Sequence, residues 1–245
     1  MATDIKNDAT LSTSLISHWE LEEESGTRAD SHGSNTLADN NTVLFGTGAR
    51  GNAADFELDN AEFLSITLAS QTGLNVAGDI SISAWVKFET LDDTQVISKQ
   101  METGGAVAWE FGFNDNLLRF FYSDGTNATV EHSDAAAVAS TGVWYHVMVT
   151  ADVSAKDVKL YVDGSLVSSS IILGNSVSMM SITTGGHALG ADQYNSRYYF
   201  DGLIDEVSVW SKISTAAEVT SMYNLGTPLP YNASVTFVPT MQIIM

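Results

Sequence analysis

Residues 80–88 read ISISAWVKF, and no other stretch narrows the possible fold so far. Side chains of an extended strand point alternately to opposite faces. Ile80, Ile82, Ala84, Val86 and Phe88 therefore share one face, and Ser81, Ser83, Trp85 and Lys87 the other. That period predicts a strand buried on one side. WYHVMVT (144–150) repeats the pattern. In DVKLYVDGSLV (157–167), Asp163-Gly164 supplies the positive φ angles of a tight primed turn, so VKLYV is expected to pair with the SLVSSSII that follows. SLISHWEL (14–21), EFLSITL (62–68), TQVISK (94–99), AWEFGF (108–113), LLRFFY (117–122), ATVEHS (128–133) and EVSVW (206–210) read as further strands. Together they suffice for two packed antiparallel sheets. One helix is expected over 214–223, where Thr215 and Glu218 have capping-box spacing and Val219, Met222 and Tyr223 share a face.

The last twenty residues, GTPLPYNASVTFVPTMQIIM, hold all three prolines and no charged side chain. Residues 226–245 are read as an apolar tail that buries itself against its own domain, a second copy or another protein. Residues 1–13 are read as an N-terminal arm, and 14–225 as one domain.

Charge removes some partners. With 30 Asp and Glu against 10 Lys and Arg, the net charge of −20 repels phosphate backbones and anionic headgroups, which excludes nucleic acid and membrane insertion. The absence of cysteine excludes disulfides, zinc-thiolate sites and cysteine nucleophiles. The five histidines show neither HExxH nor His-x-His spacing, and His146, on a strand, reads as a packed structural residue. The glycines of GTGARGN (46–52) precede a strand, so they lack the helix N-terminus that holds a phosphate. The N-terminus carries acidic residues and no basic region before an apolar run. Together with Met1, this favours a chain made in the cytosol that reaches its place by assembly or lysis.

WELEEESGTRADSHGSN (19–35), GNAADFE (51–57), ISISAWVKF, WYHVMVT, LYVDG (160–164) and FDGLIDEVSVW (200–210) follow one another in an order that resembles the laminin-G-like domains of the concanavalin A-like lectin/glucanase superfamily. The resemblance ends near residue 225. It implies an all-β fold, a two-sheet antiparallel jelly-roll sandwich with one short C-terminal helix. It also implies that Asp205, at the start of the last strand, binds a structural Ca²⁺, with Asp30 and the Glu22-Glu23 region as further ligands. The competing reading is that Asp205 caps backbone N–H groups without metal.

ELDNAE (57–62) has the Glu-x-Asp-x-x-Glu spacing of retaining glucanases in the same superfamily. Those enzymes need both carboxylates on a regular strand, ~5 Å apart. Asn60 and Ala61 stand where a strand would carry apolar residues, so the stretch is expected to be a turn and the chain is expected not to be an enzyme.

Two roles remain, recognition and building. Tyr194, Asn195, Arg197 and Tyr198, in the polar loop ADQYNSRYYF (191–200), suit stacking on a sugar ring and bonding its hydroxyls. FYSDGTN (121–127) is a second candidate loop, while Trp109 and Trp144 are expected in the core. The expected function is a non-catalytic surface component of a large assembly, such as a virion decoration, fibre or tail protein, that binds glycans. Its partners would be further copies or other particle proteins, reached through the tail. The alternatives are a stand-alone carbohydrate-binding or adhesion domain at a cell surface, and a glycoside hydrolase.

Overall fold

The computed structural model describes residues 3–91, 94–138, 140–175 and 178–232. Its first strands are β1 Leu15–Trp19, β2 Ala38–Asn40, β3 Leu44–Thr47, β4 Asn52–Phe56, β5 Phe63–Thr67, β6 Ile80–Phe88, β7 Thr94–Met101 and β8 Val107–Asn114. They continue with β9 Leu117–Ser123, β10 Ala128–Ser133, β11 Trp144–Asp152, β12 Asp157–Val162, β13 Ser165–Leu166, β14 Ser169–Gly174, β15 Gly186–Leu189 and β16 Gly202–Trp210. Among the described residues there are also two α-helices, α1 Ala9–Ser12 and α2 Ala216–Tyr223, and two 3₁₀ turns, Leu58–Asn60 and Asn224–Gly226. Among the described residues, no helix is long and apolar enough to cross a membrane.

The strands form two eight-stranded antiparallel sheets, the expected jelly-roll sandwich. The first runs β13-β12-β11-β6-β16-β4-β3, with β1 also paired to β16; the second runs β14-β10-β9-β8-β7-β15-β5-β2. Between them lies one large apolar core that includes Ile82, Val86, Trp109, Phe111, Phe120, Val149 and Val207. Helix α2 begins at the predicted cap, with the Thr215 side chain and Glu218 bonded reciprocally to each other's backbone N–H.

A second apolar cluster lies on the outer face of the first sheet, where Met148, Tyr161 and Trp210 are covered by Ile5 and Leu11 of the arm, Val219 and Met222 of α2, and Leu229 and Tyr231 of the tail. The Trp210 Nε1–H donates to Leu11 O at 2.6 Å. This layer corrects the one-sided reading of ISISAWVKF: both faces of β6 are buried, with only Lys87 partly exposed, because arm and helix roof the side that alternation assigned to solvent.

Two further expectations are corrected. Ser165-Leu166 does pair with β12 across the Asp163-Gly164 turn (φ 50° and 73°), but Ser169–Gly174 leaves that sheet and pairs with β10 in the other. Trp144 is only half-buried at the start of β11, with the Lys87 ammonium 5.3 Å from its ring centre. The described start of the tail, residues 226–232, packs on the chain's own domain, one of the three expected modes: Ile5 and Lys6 donate backbone N–H bonds to the carbonyls of Pro230 and Tyr231 at 3.0 and 2.9 Å. Residues 233–245 lie outside the described residues.

Candidate functional site

The outer face of the second sheet carries a row set by register: Ser65, Ala188, Lys99, Glu110, Phe121 and Val130 stand side by side on neighbouring strands. Over the middle of this row runs the 191–199 loop, tied to β7 by hydrogen bonds from Val96 N to Tyr198 O (3.0 Å) and from Gly190 N to Ile97 O (3.1 Å). Its anchor is Asp192, fully buried, which stands 2.9 Å from Lys99 Nζ and accepts bonds from Asn195 Nδ2 (3.0 Å) and Arg197 Nε (3.1 Å). Burial pushes the Asp192 carboxyl up, but the Asn195 bond and the Lys99 charge outweigh it and hold the group below its ordinary value. Lys99 also meets Glu110 at 2.5 Å, and Glu110 meets Arg119 Nη1 at 3.1 Å. The result is an alternating ionic chain, Arg197, Asp192, Lys99, Glu110, Arg119, whose three central members are buried.

Beside this chain is a pocket of about 230 Å³ lined by the 105–107 segment, Phe121, Ser123 and residues 125–128. Phe121 is half-buried, with the Arg119 guanidinium 5.6 Å from its ring centre. Gly105, at φ 90°, lies against the loop so closely that a Cβ there would stand 3.0 Å from Asn195 Oδ1. The two candidate loops read from the sequence, 191–200 and 121–127, thus meet through the 102–106 turn. On the far side of that contact, Arg197 stacks on Tyr198 at 4.4 Å. Of the four predicted residues, Asn195 and Arg197 are held by Asp192, Tyr198 is the platform under Arg197, and Tyr194 is half-buried with burial raising its phenol pKa. Phe121, Arg119, Asp192 and Lys99 complete the arrangement.

The segment FDGLIDEVSVW forms a second polar centre. Gly202 is required because a Cβ there would lie 2.2 Å from Lys87 O of the neighbouring β6. On its other edge β16 pairs first with β4 (Gly202 to Ile204) and then with β1 (Val207 to Trp210). Asp205-Glu206 falls in the gap between them, and there the β6 register slips while Glu206 takes φ 50°. Arg50, before β4, and Glu20 and Glu22, after β1, converge on that gap. Arg50 Nη1 lies 2.8 Å from Glu206, 3.0 Å from Glu20 and 3.8 Å from Glu22. Asp205 is fully buried; its Oδ2 accepts the Arg50 backbone N–H at 3.1 Å, and its Oδ1 has no partner. Burial first, then the Glu206 and Glu22 charges, push its pKa up to about 8.

Glu22 lies at this centre, accepting the Asn52 N–H at 2.8 Å. Asp30 does not reach it by any contact of its own oxygens: they accept the backbone N–H groups of His18, His32, Gly33 and Asn35 at 2.9–3.0 Å and fix the turn after β1. Among the described residues, the carboxylates whose oxygens converge within 4.8 Å are instead Glu57, Glu89 and Asp201.

Leu58–Asn60 forms one 3₁₀ turn, and Glu62 closes it by accepting the Glu57 N–H and an Asn60 side-chain N–H, both at 3.0 Å. The Glu-x-Asp-x-x-Glu spacing therefore belongs to a turn, as expected. His146 is buried against Ser83 Oγ (2.8 Å), with burial lowering its pKa to about 3.

No curated protein sequence matches the chain significantly. A domain of an extracellular GH43 arabinanase from Geobacillus stearothermophilus, solved with arabinotriose, superposes with a TM-score of 0.62 at 20% identity, covering 85% of this chain and 98% of that domain. The binding domain of botulinum neurotoxin serotype D gives 0.64 at 15% identity over 89% of this chain, and a Trypanosoma rangeli sialidase gives 0.59 at 11% over 88%. The chain spans 56% of that toxin domain and 34% of that sialidase. At such identities the likeness is one of fold. A laminin G family model matches residues 60–220, from the turn before β5 into α2, and the chain is a member of the concanavalin A-like lectin/glucanases superfamily.

Proposed function

We propose that the chain is a non-catalytic glycan-recognition module that binds a sugar between the 102–106 turn, the 123–128 hairpin and the 191–199 loop. The observation that carries this reading is the Phe121 pocket, flanked by hydrogen-bonding side chains held rigidly by the ionic chain behind them. Its 230 Å³ is below the ~300 Å³ of a typical small-molecule pocket, which suits one monosaccharide unit with the rest of the glycan outside. Aromatic faces and fixed polar groups are what a sugar ring needs, and related folds bound to arabinotriose or serving as toxin binding domains make the class reasonable. The test is a glycan array followed by titration. Phe121→Ala should weaken binding at least about tenfold, the equivalent of ~1.4 kcal/mol, with little change in stability because the ring is half exposed. A screen with no hit, or a ligand held equally well by Phe121→Ala, would remove this site from consideration.

The module is further proposed to decorate a larger assembly, most simply the surface of a virion. The supporting feature is the uncharged stretch 233–245, which follows a tail already docked through Leu229 and Tyr231. Light scattering on the full chain and on one ending at Asn232 is expected to give an oligomer and a monomer respectively. Equal masses would count against the tail as an assembly element.

Asp205 and Glu22 are proposed to hold a structural Ca²⁺, Asp30 being taken up by its turn. The residues fit such an ion because the buried Asp205 Oδ1 has no hydrogen-bond partner, and burial first, then the Glu206 and Glu22 charges, raise the pKa of its group. Ca²⁺ supplies charge neutralisation there and no chemistry. A folded pKa of about 8 against an ordinary 3.8 means that Asp205 loses stabilising influence as pH rises from 4 through 8 in metal-free protein. Asp205→Asn should therefore raise Tm in chelator at pH 8, whereas Ca²⁺ should raise Tm of the parent protein and not of the variant. A calcium response that survives Asp205→Asn would place the ion elsewhere.

A further inference from the structure

From the ionic chain on the outer sheet face, we infer that the sugar recognised is acidic, a glycan whose terminal or repeating unit carries a carboxylate. The inference rests on the glycan reading above and adds the chemical class of the ligand. Its first ground is where the cations are. Three of the chain's ten Lys and Arg residues, Lys99, Arg119 and Arg197, gather here, and among the described residues only Asp192 and Glu110 are in ionic contact with them. Within this ionic chain, three cations against two carboxylates leave one positive charge on a molecule whose net charge is −20.

The second ground is unused hydrogen-bonding capacity. Arg197 gives Nε to Asp192, while its two Nη groups carry no protein hydrogen bond among the described residues, and its side chain is 52% exposed. A guanidinium clamped at Nε and stacked on Tyr198 is preorganised to present its paired Nη donors to a planar carboxylate. At the other end of the chain, the Arg119 side chain keeps 18% exposure beside the Phe121 ring. Nearby acids are turned away. Asp124, in the hairpin at the pocket rim, directs an oxygen back to the N–H groups of Thr126 and Asn127. Glu102 is bonded to Thr183 and Thr184.

The protein's overall negative charge does not forbid an anionic ligand. At physiological ionic strength charges are screened beyond ~8 Å, so one carboxylate at short range feels the arginine it touches. A polyphosphate chain spread over the surface meets the net repulsion instead.

The experiment titrates full-length protein with two matched pairs: oligogalacturonate against its methyl ester, and a sialylated trisaccharide against the same glycan without its sialic acid. The expected result is at least about tenfold tighter binding of an acidic member, weakening as salt rises and lost in Arg197→Gln. Far-ultraviolet circular dichroism should show that this variant stays folded, and Arg119→Gln provides a second variant. Equal binding of the neutral members, unchanged in Arg197→Gln, would overturn the acidic specificity and leave the glycan site standing. A preference for acid that survives both substitutions would overturn the assignment to these arginines. Binding of none of the four would overturn the glycan reading and this inference with it.

Discussion

Replacing Asp192 with alanine is expected to cost about 3–5 kcal/mol of folding stability, the range found when one partner of a buried ion pair is removed. Three groups lose their acceptor at once. Lys99, buried with 2% of its side chain exposed, keeps only Glu110, which it already shares with Arg119. Asn195 and Arg197 lose the oxygen that pins their loop. The loss of binding should exceed what any exposed residue of the loop produces, because every contact of the 192–197 turn is displaced together. Denaturant unfolding of Asp192→Ala measures the first effect and ligand titration the second. A double-mutant cycle with Lys99→Met separates the direct pair from the rest: if the charge left on Lys99 dominates, the double variant recovers much of the loss. A cost under 1 kcal/mol with binding intact would show that the ionic chain does not hold the loop.

Acidification is expected to produce the other large effect. His146 and His187 are both fully buried, and burial lowers each pKa to about 3 from an ordinary 6.5. Neither ring nitrogen of His187 has a hydrogen-bond partner, and the ring lies between Trp19 and Trp109, at 5.5 and 5.4 Å between ring centres. Between pH 6.5 and 3 the unfolded chain binds protons at these sites and the folded chain does not, so stability falls as pH falls. Each histidine contributes about 1.4 kcal/mol per pH unit in that window, and metal-free Asp205, shifted in the opposite direction, offsets one of the two. From these three groups alone the slope between pH 6.5 and about 4 is roughly that of a single histidine, and Asp55, Glu57, Glu62 and Glu131, whose pKa values burial also raises, act in the same sense as Asp205. Urea unfolding at pH 7, 6, 5 and 4 reads the slope directly. His187→Gln, which keeps size and polarity but does not titrate, should flatten it. An unchanged slope in that variant and in His146→Gln would exclude the histidines as its source.

Most of the sandwich was legible because apolar side chains recur at every second position on the face of a strand that meets the core. Ile80–Phe88, Ala128–Ser133 and the capped helix at Thr215 lie where period and capping chemistry put them. Ala38–Asn40 and Leu44–Thr47 were not, since neither contains a buried side chain and no pattern is imposed on them. The same limit explains the partial view of the candidate site. Tyr194, Asn195, Arg197 and Tyr198 stand out as aromatic and polar residues in one loop, but what positions them is distant. Lys99 and Glu110 look like ordinary charged positions on two strands until the β7–β8 register sets them opposite each other. Asp192 gives no local sign of burial, because its burial comes from the strand face beneath it. Phe121 follows the rule for an outward residue, and only the neighbouring turn turns it into a pocket floor. Arg50 was similarly hidden: its meeting with Glu20, Glu22 and Glu206 depends on two strands ending on the same edge of β16.

The pairing of the arm with the start of the tail sets which face of the molecule those two segments occupy. Ile5 and Lys6 bond to Pro230 and Tyr231, and both segments lie over the outer face of the first sheet. The Phe121 pocket opens from the outer face of the second, across the full thickness of the sandwich. A partner that engages residues 5–6 and 229–231 would therefore hold the molecule by the face opposite the pocket. If copies are arrayed through that face and the pocket takes a sugar, as proposed, the pockets would look outward and many weak single-sugar contacts would act on one target together.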